Sequence, residues 1–310
     1  MAPISGNTPG LELIRDRIGA SVRNVLSGGH SSSPDEVDLA PFSEPPGDPG
    51  LFGPDSVAWQ VHADPAMLIG GIRSLLMQTT HPLAMAGVAE HSNYRSDPWG
   101  RLHRTAQYVT ITSYGGTAQA QRAIRNVKAI HKRVKGVAPD GRPYSASDPD
   151  LVTWVHVTEV DSFLTSVQRF GTTQLSPEQA DRYVDEMAQL GLAMGAKEVP
   201  RSVADIAAYY KSVDSQLEAG PQARSAIRFL MWPPVPSRIR PAYAVLAAAA
   251  VSTMPMRLRK MLWLPETPSI DKALVVPAGE LCTAVLGWAL GPSPVVEAAL
   301  RRAGATDAAG

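Results

Sequence analysis

A chain of 310 residues, 44% apolar and 19% charged, is long enough to bury a sizeable core and has the balance of an ordinary globular protein. Lys plus Arg equals Asp plus Glu at 29 each, which removes the electrostatic case for a nucleic-acid or polyanion partner. The one cysteine, Cys282, excludes an internal disulfide and any cysteine metal cage.

The opening residues MAPISGNTPGLELIRDRIG carry no apolar run behind a basic start, so a cleavable secretory signal is not expected and a cytoplasmic location is. The apolar run over 243–251 stops at Pro255, short of the ~20 residues that cross a bilayer. It reads as a buried helix, and no transmembrane segment is expected.

In chain order, Leu11, Ile14, Ile18, Val22 and Val25 recur at helical spacing, and Gly28-Gly29 closes that helix. Ser, Pro, Gly and Asp dominate from His30 to Asp55, which predicts an extended arm or loop. Met67, Leu68, Ile72, Leu75 and Leu76 predict a helix that breaks at Thr80-His81-Pro82, because the residue before a proline is pushed out of the helical region. A new helix starts at Pro82, where a proline is tolerated best. A polar turn then leads to a helix beginning near Pro98, which carries Arg101, Arg104 and Thr105 and ends at Gly115-Gly116. Thr117 is expected to cap the next helix, on which Ile124, Val127, His131 and Val134 share one face. After Gly136 a loop leads to Asp148-Pro149, an N-cap and first-turn pair opening a strong helix to Phe170. Val152, His156, Val160, Phe163 and Val167 form its apolar stripe. Ser176 with Gln179 reads as a capping box, Ser202 with Asp205 starts another helix, and Pro221 opens one that stops before Trp232. The remainder to Gly304 divides at prolines and glycines into several short apolar helices. With no series of alternating strands and no internal repeat, the fold class is all-α.

Two histidines stand out. His131 and His156 each lie on an aliphatic stripe, and Ile and Val offer an imidazole neither a donor nor an acceptor. A core histidine tied to a carbonyl or carboxylate satisfies that need, and so does a bound metal. Arg101 and Thr105, four residues apart, share a helical face suited to holding a carboxylate; a solvated basic face, or salt bridges to Asp97 and Glu90, is the alternative. No HExxH, P-loop, GxGxxG or Gly-x-Ser-x-Gly pattern is present. The spacings of His81, Glu90, His91 and His103 fit no compact face for a non-haem metal site.

The succession HPLAMAGVAEHSNYRSDPWGRLHRTAQYV, VKAIHKRVKGVAPDGRPYSASDPDLVTWVHVTEVDSFL and LSPEQADRYVDEMAQLGLAMG resembles the DUF2236 family, which includes the MpaB-type oxygenases and the latex clearing proteins. The resemblance spans roughly residues 55 to 235 and rests on several separated blocks. It implies a single all-helical domain with a globin-like core binding haem b. His131 falls in the block of the axial iron ligand, and Arg101 and Thr105 fall on the Arg-x-x-x-Thr pair of the haem pocket, with Thr105 a hydrogen-bond donor there. His156 is a pocket residue and second-choice ligand. Arg104 replaces the lysine of the rubber-cleaving branch; a guanidinium does not readily ligate iron, so polyisoprene is not implied as substrate. Arg104 and Thr105 are the candidate catalytic residues. Glu90 is the nearest upstream carboxylate for the base of that branch, and its spacing from Arg101 does not assign it.

The expectation is therefore an N-terminal helix and arm over 1–54, a haem-binding core over 55–235 and C-terminal helices over 236–310 packed on it. The function expected is a haem-dependent oxygenase taking a hydrophobic small molecule with dioxygen or peroxide; a homo-oligomer is compatible with the sequence. A haem-binding sensor or carrier without turnover, and a helical partner-binding protein without cofactor, are the competing classes.

Overall fold

A computed structural model describes residues 12, 15–20, 38–92 and 96–305, save the side chains of Pro98 and Trp99. The expected roles of Leu11, Ile14, Val22, Val25, Gly28, Gly29, His30, Asn93 and Tyr94 lie outside the described residues. Helix α1 is seen over residues 15–20. There follow α2 (Ala40–Ser43), α3 (Val57–Ala63), α4 (Met67–Gln78), α5 (Pro82–His91), α6 (Pro98–Tyr114), α7 (Thr117–His131), β1 (Lys135–Val137), β2 (Pro143–Ser145) and α8 (Pro149–Phe170). The second half holds α9 (Pro177–Met194), α10 (Val203–Val213), α11 (Pro221–Met231), α12 (Arg240–Ser252), α13 (Met256–Met261), α14 (Pro268–Ile270), α15 (Val276–Leu290) and α16 (Pro294–Ala303). The fold is all-α.

The local signals account for most helix starts. Asp148 accepts from the Asp150 N–H, Ser176 and Gln179 form the reciprocal capping box, and Ser202 accepts from the Asp205 N–H. Thr117 is not a cap. It is the first residue of α7, and its N–H and hydroxyl both donate to the Asp48 carboxylate, at 2.7 and 2.6 Å. An acid borrowed from a distant loop thus neutralises the exposed amides of that helix start. The expected arm is, over residues 38–55, the short helix α2 followed by turns folded onto its own chain. Arg302 of α16, 2% exposed, donates to the carbonyls of Phe42, Asp48 and Tyr114, locking this loop to the end of α6. The loop after α7 contains an antiparallel hairpin, β1 with β2, in the register Gly136 opposite Tyr144.

Helix α8 runs through the centre. Its closest neighbour is α4, where Gly70 lets the backbones approach: a Cβ there would sit 2.8 Å from the Phe163 ring and 3.1 Å from the Ser162 carbonyl oxygen. Val157, Val160, Phe163 and Val167 of α8 share one core with Tyr183 and Met187 of α9, Leu246, Ala249 and Ala250 of α12, and Leu286 of α15. Burial of that aliphatic surface is the main stabilising term.

The C-terminal helices are not all short. A π-turn over Asp271–Val275 joins α14 to α15, and the result is a continuous 23-residue apolar helix, Pro268–Leu290. By length and composition alone it meets the requirement for spanning a bilayer. Gly279, Thr283 and Leu286 face the bundle, whereas Leu274 and Leu281 are 67% and 61% exposed.

Candidate functional site

Helix α6 packs on α7 and α3, and α8 packs on α9 and α4. The first half of α6 stands clear of the body. All six residues from Leu102 to Gln107 are exposed, a run longer than one helical turn, so every side of the helix is accessible there. Asp97 begins this helix, its carboxylate accepting from the Gly100 N–H at 2.9 Å and pairing with Arg104 at 3.3 Å. Arg104 therefore curls back toward the helix start and is solvated.

Arg101, Thr105 and Tyr108 lie four and three residues apart on one face of α6. Arg101 is half-buried and engaged in a polar interaction. The Thr105 hydroxyl donates to the Arg101 carbonyl at 3.1 Å, so in this conformation its lone pairs, not its proton, are offered outward. The Tyr108 hydroxyl is buried and has no hydrogen-bond partner among the described residues.

His131 is the last residue of α7, with Ile124 buried and Val127 half-buried on the same face. Its ring is half-buried, and burial holds its pKa below the ordinary histidine value. Lys128, one turn earlier, donates to the Ala193 carbonyl at 2.8 Å and ties this end of α7 to the end of α9. Against the same end of α9 lies His156: a Cβ on Gly191 would sit 2.8 Å from its Cδ2 and 2.9 Å from its Nε2. Only glycine lets α9 come so near the ring. Burial lowers the His156 pKa to about 4.

Of the described histidines, His131 and His156 alone have rings without a polar partner among the described residues. His62 is bonded through both nitrogens, to Ser113 Oγ at 2.5 Å and Tyr183 OH at 3.1 Å. Because Ser113 gives its own proton to the Val109 carbonyl at 2.7 Å, His62 donates from Nδ1 and accepts the Tyr183 proton at Nε2. Burial holds it neutral, with a pKa of about 4. His81 caps α5, His91 meets the Tyr144 hydroxyl at 3.2 Å, and His103 is engaged on the exposed part of α6. Glu90 accepts a short hydrogen bond from Tyr144, which holds its carboxylate to the hairpin.

Glu159 lies three residues after His156 on the same side of α8, a place where the stripe reads aliphatic. It has no hydrogen-bond partner among the described residues, and burial pushes its pKa up to about 7. Its charge contributes, after burial, to raising the pKa of Tyr108 on α6 and of Tyr183 on α9. His62, His156 and Glu159 sit deep among the helices yet keep accessible surface. The His62 ring packs edge-on against Phe163 of α8 and Tyr183 of α9. The sequence singled out Arg101 and Thr105, which lie on the first half of α6, His131, at the end of α7, and His156, against α9. It did not single out His62, Tyr108, Glu159 or Tyr183, although an acid one turn after an inward histidine was a readable signal for Glu159.

The molecule is an all-α bundle built around one long central helix, α8. The chain is a member of the family described as ER-bound oxygenase mpaB/B'/Rubber oxygenase, catalytic domain, whose model matches residues 59–288. No curated protein and no solved structure matches it.

Proposed function

We propose that the chain is a haem b-dependent oxygenase acting on a hydrophobic organic substrate with dioxygen or a peroxide, with His131 as the axial donor to iron. The observation that carries this reading is the His131 ring, half-buried at the end of α7 and without a protein partner among the described residues, in a chain of an oxygenase family.

The residues present fit such a group. No three His, Cys, Asp or Glu side chains converge as a metal cage among the described residues, so a metal bound here needs a macrocycle to bring most of its donors. His131 supplies the one imidazole, and its lowered pKa keeps the lone pair free at neutral pH. Arg101 on α6 is the guanidinium for a propionate. Arg104, with Thr105 the candidate catalytic pair, is solvated and paired with Asp97 in this conformation. His156 is the second-choice ligand, and Val109, Val127, Val160 and Phe163 would supply the apolar walls that keep water away from a bound group. Iron porphyrin, when bound, supplies the oxygen activation, while the protein fixes the axial donor, the orientation and the polarity around it.

The test is the absorption spectrum of protein expressed with haem supply. A Soret band that is lost in His131→Ala and kept in Arg104→Ala supports the reading. Wild-type protein without a Soret band ends it.

A further inference from the structure

We infer that the outer side of the helix Pro268–Leu290 lies flat on an anionic lipid bilayer, its apolar stripe of Ile270, Leu274, Leu281 and Val285 among the acyl chains and the cavity beside Lys272 receiving a lipid phosphate group. The inference is independent of iron and of the residues assigned to it.

Leu274 and Leu281, both more than half exposed, are joined by Ile270 and Val285, 52% and 38% exposed. The four recur at spacings of four, seven and four, with exposed Pro277 between the leucines and half-buried Trp288 beyond Val285. They form one apolar stripe, roughly 25 Å long at the rise of a helix. A soluble monomer rarely leaves so long an apolar strip uncovered. The opposite side is fixed in the bundle: the Thr283 hydroxyl donates to the Phe170 carbonyl at 2.7 Å, and a Cβ on Gly279 would sit 2.9 Å from the Phe170 ring. A helix held along one side and apolar along the other lies in the plane of a membrane surface and does not cross it.

Charge chooses between a membrane and a second copy of the chain. A cavity of about 420 Å³ opens beside the first turns of this helix, with Arg169, Arg259 and Lys272 in its lining and Met254 and Val276 as apolar wall. Asp271, the one carboxylate there, accepts from Arg259 at 2.7 Å, and Arg169 pairs with Glu280 at 2.7 Å. Lys272 is exposed and has no ion pair among the described residues, so it stands as the uncompensated charge of the cavity. The chain as a whole is neutral, which makes this excess local. A phosphate group supplies the missing negative charge, and its oxygens can accept from the guanidinium beside it. A second copy would bring no free acid, because Asp271 and Glu280, the acids of this helix, are already paired. An anionic phospholipid surface offers both the acyl chains and the phosphate.

The experiment is co-sedimentation of the full chain with unilamellar vesicles of phosphatidylcholine, with and without added phosphatidylglycerol. Wild type is expected to bind the anionic vesicles more tightly by about five-fold, the effect of one lysine at a charged surface. Leu274→Ser combined with Leu281→Ser weakens binding to both compositions by at least about ten-fold. Lys272→Ala removes the preference for the anionic vesicles, and Val137→Ser, at an exposed apolar position on the hairpin, changes neither result. All four side chains are exposed, and circular dichroism confirms that each variant is folded. No binding to either composition, equal binding of wild type to both, or binding indifferent to the double substitution overturns the inference. So does a dimer in analytical ultracentrifugation that the double substitution dissociates, which gives the stripe to a second copy.

Discussion

Two neighbouring turns of α8 treat their polar residues in opposite ways. In the turn of Asp161 and Ser162, facing α4, the polar groups close on one another: Arg73, 2% exposed, donates to Asp161 and to Ser162, each at 2.8 Å, and Tyr210 donates to Asp161 at 2.9 Å. Only the Arg73 Nε is left over there. One turn earlier, His156, against α9, and Glu159 are half-buried and have no partner among the described residues. The first arrangement is how a fold tolerates buried charge. The second is energetically unfavourable for the fold alone, and that unmet demand is what a ligand can satisfy.

The contrast can be broken from either side. The largest loss is expected from Arg73→Met, which leaves the half-buried Asp161 beside Tyr210 without its cation. Denaturant unfolding should show a loss of about 3–5 kcal/mol; a loss below about 1 kcal/mol would show that the pair is not structural.

On the other turn the effect has the opposite sign. In the unfolded chain Glu159 loses its proton near the ordinary glutamate value of 4.5, and in the fold burial pushes this up to about 7. Between those values the folded state binds more protons, so stability falls as pH rises through this window and the full penalty stands above pH 7. Glu159→Gln has no such penalty. Measured by thermal or chemical unfolding, it should be more stable than wild type at pH 8, by on the order of 3 kcal/mol at most, with the gain shrinking toward pH 4.5. A Gln variant less stable than wild type at pH 8 would show that the carboxylate has an ionic partner.

A smaller effect is expected at the glycine beneath His156. Gly191→Ala puts a methyl group 2.8 Å from the ring, so either the ring or α9 must shift, at a cost of about 1–3 kcal/mol. The ring's own resonance in a proton NMR spectrum should move with it, and an unchanged resonance would place the ring elsewhere. The smallest effect is expected at Arg104→Ala, which removes an exposed ion pair worth less than about 1 kcal/mol. A larger loss there would mean that the start of α6 is held more firmly than its exposure implies.

How much of this was legible in the sequence follows the range of the interactions. Capping acids and hydroxyls sit within three residues of the amides they serve, so Asp148, Ser176 and Ser202 announce their helices directly. The α7 start is served by Asp48, 69 positions away, and nothing local reveals it. The apolar stripe of α8 gave the positions of His156 and Phe163. It could not say that Gly191 brings α9 against one and Gly70 brings α4 against the other. Tyr108 shows the same limit: a tyrosine in a helix is unremarkable until the fold buries its hydroxyl without an acceptor. The prolines suggested breaks throughout the last third. Yet the π-turn before α15 accommodates Pro277, and 268–290 runs on as one helix.

The central claim concerns the His131 ring, and the most direct measurement is the absorption spectrum of the reduced protein under carbon monoxide, wild type beside His131→Ala. The account predicts a haem–carbonyl band in wild type and its loss in the variant, with helical content preserved by circular dichroism. An unchanged band in His131→Ala would contradict it and pass the axial role to another side chain, with His156 first in line.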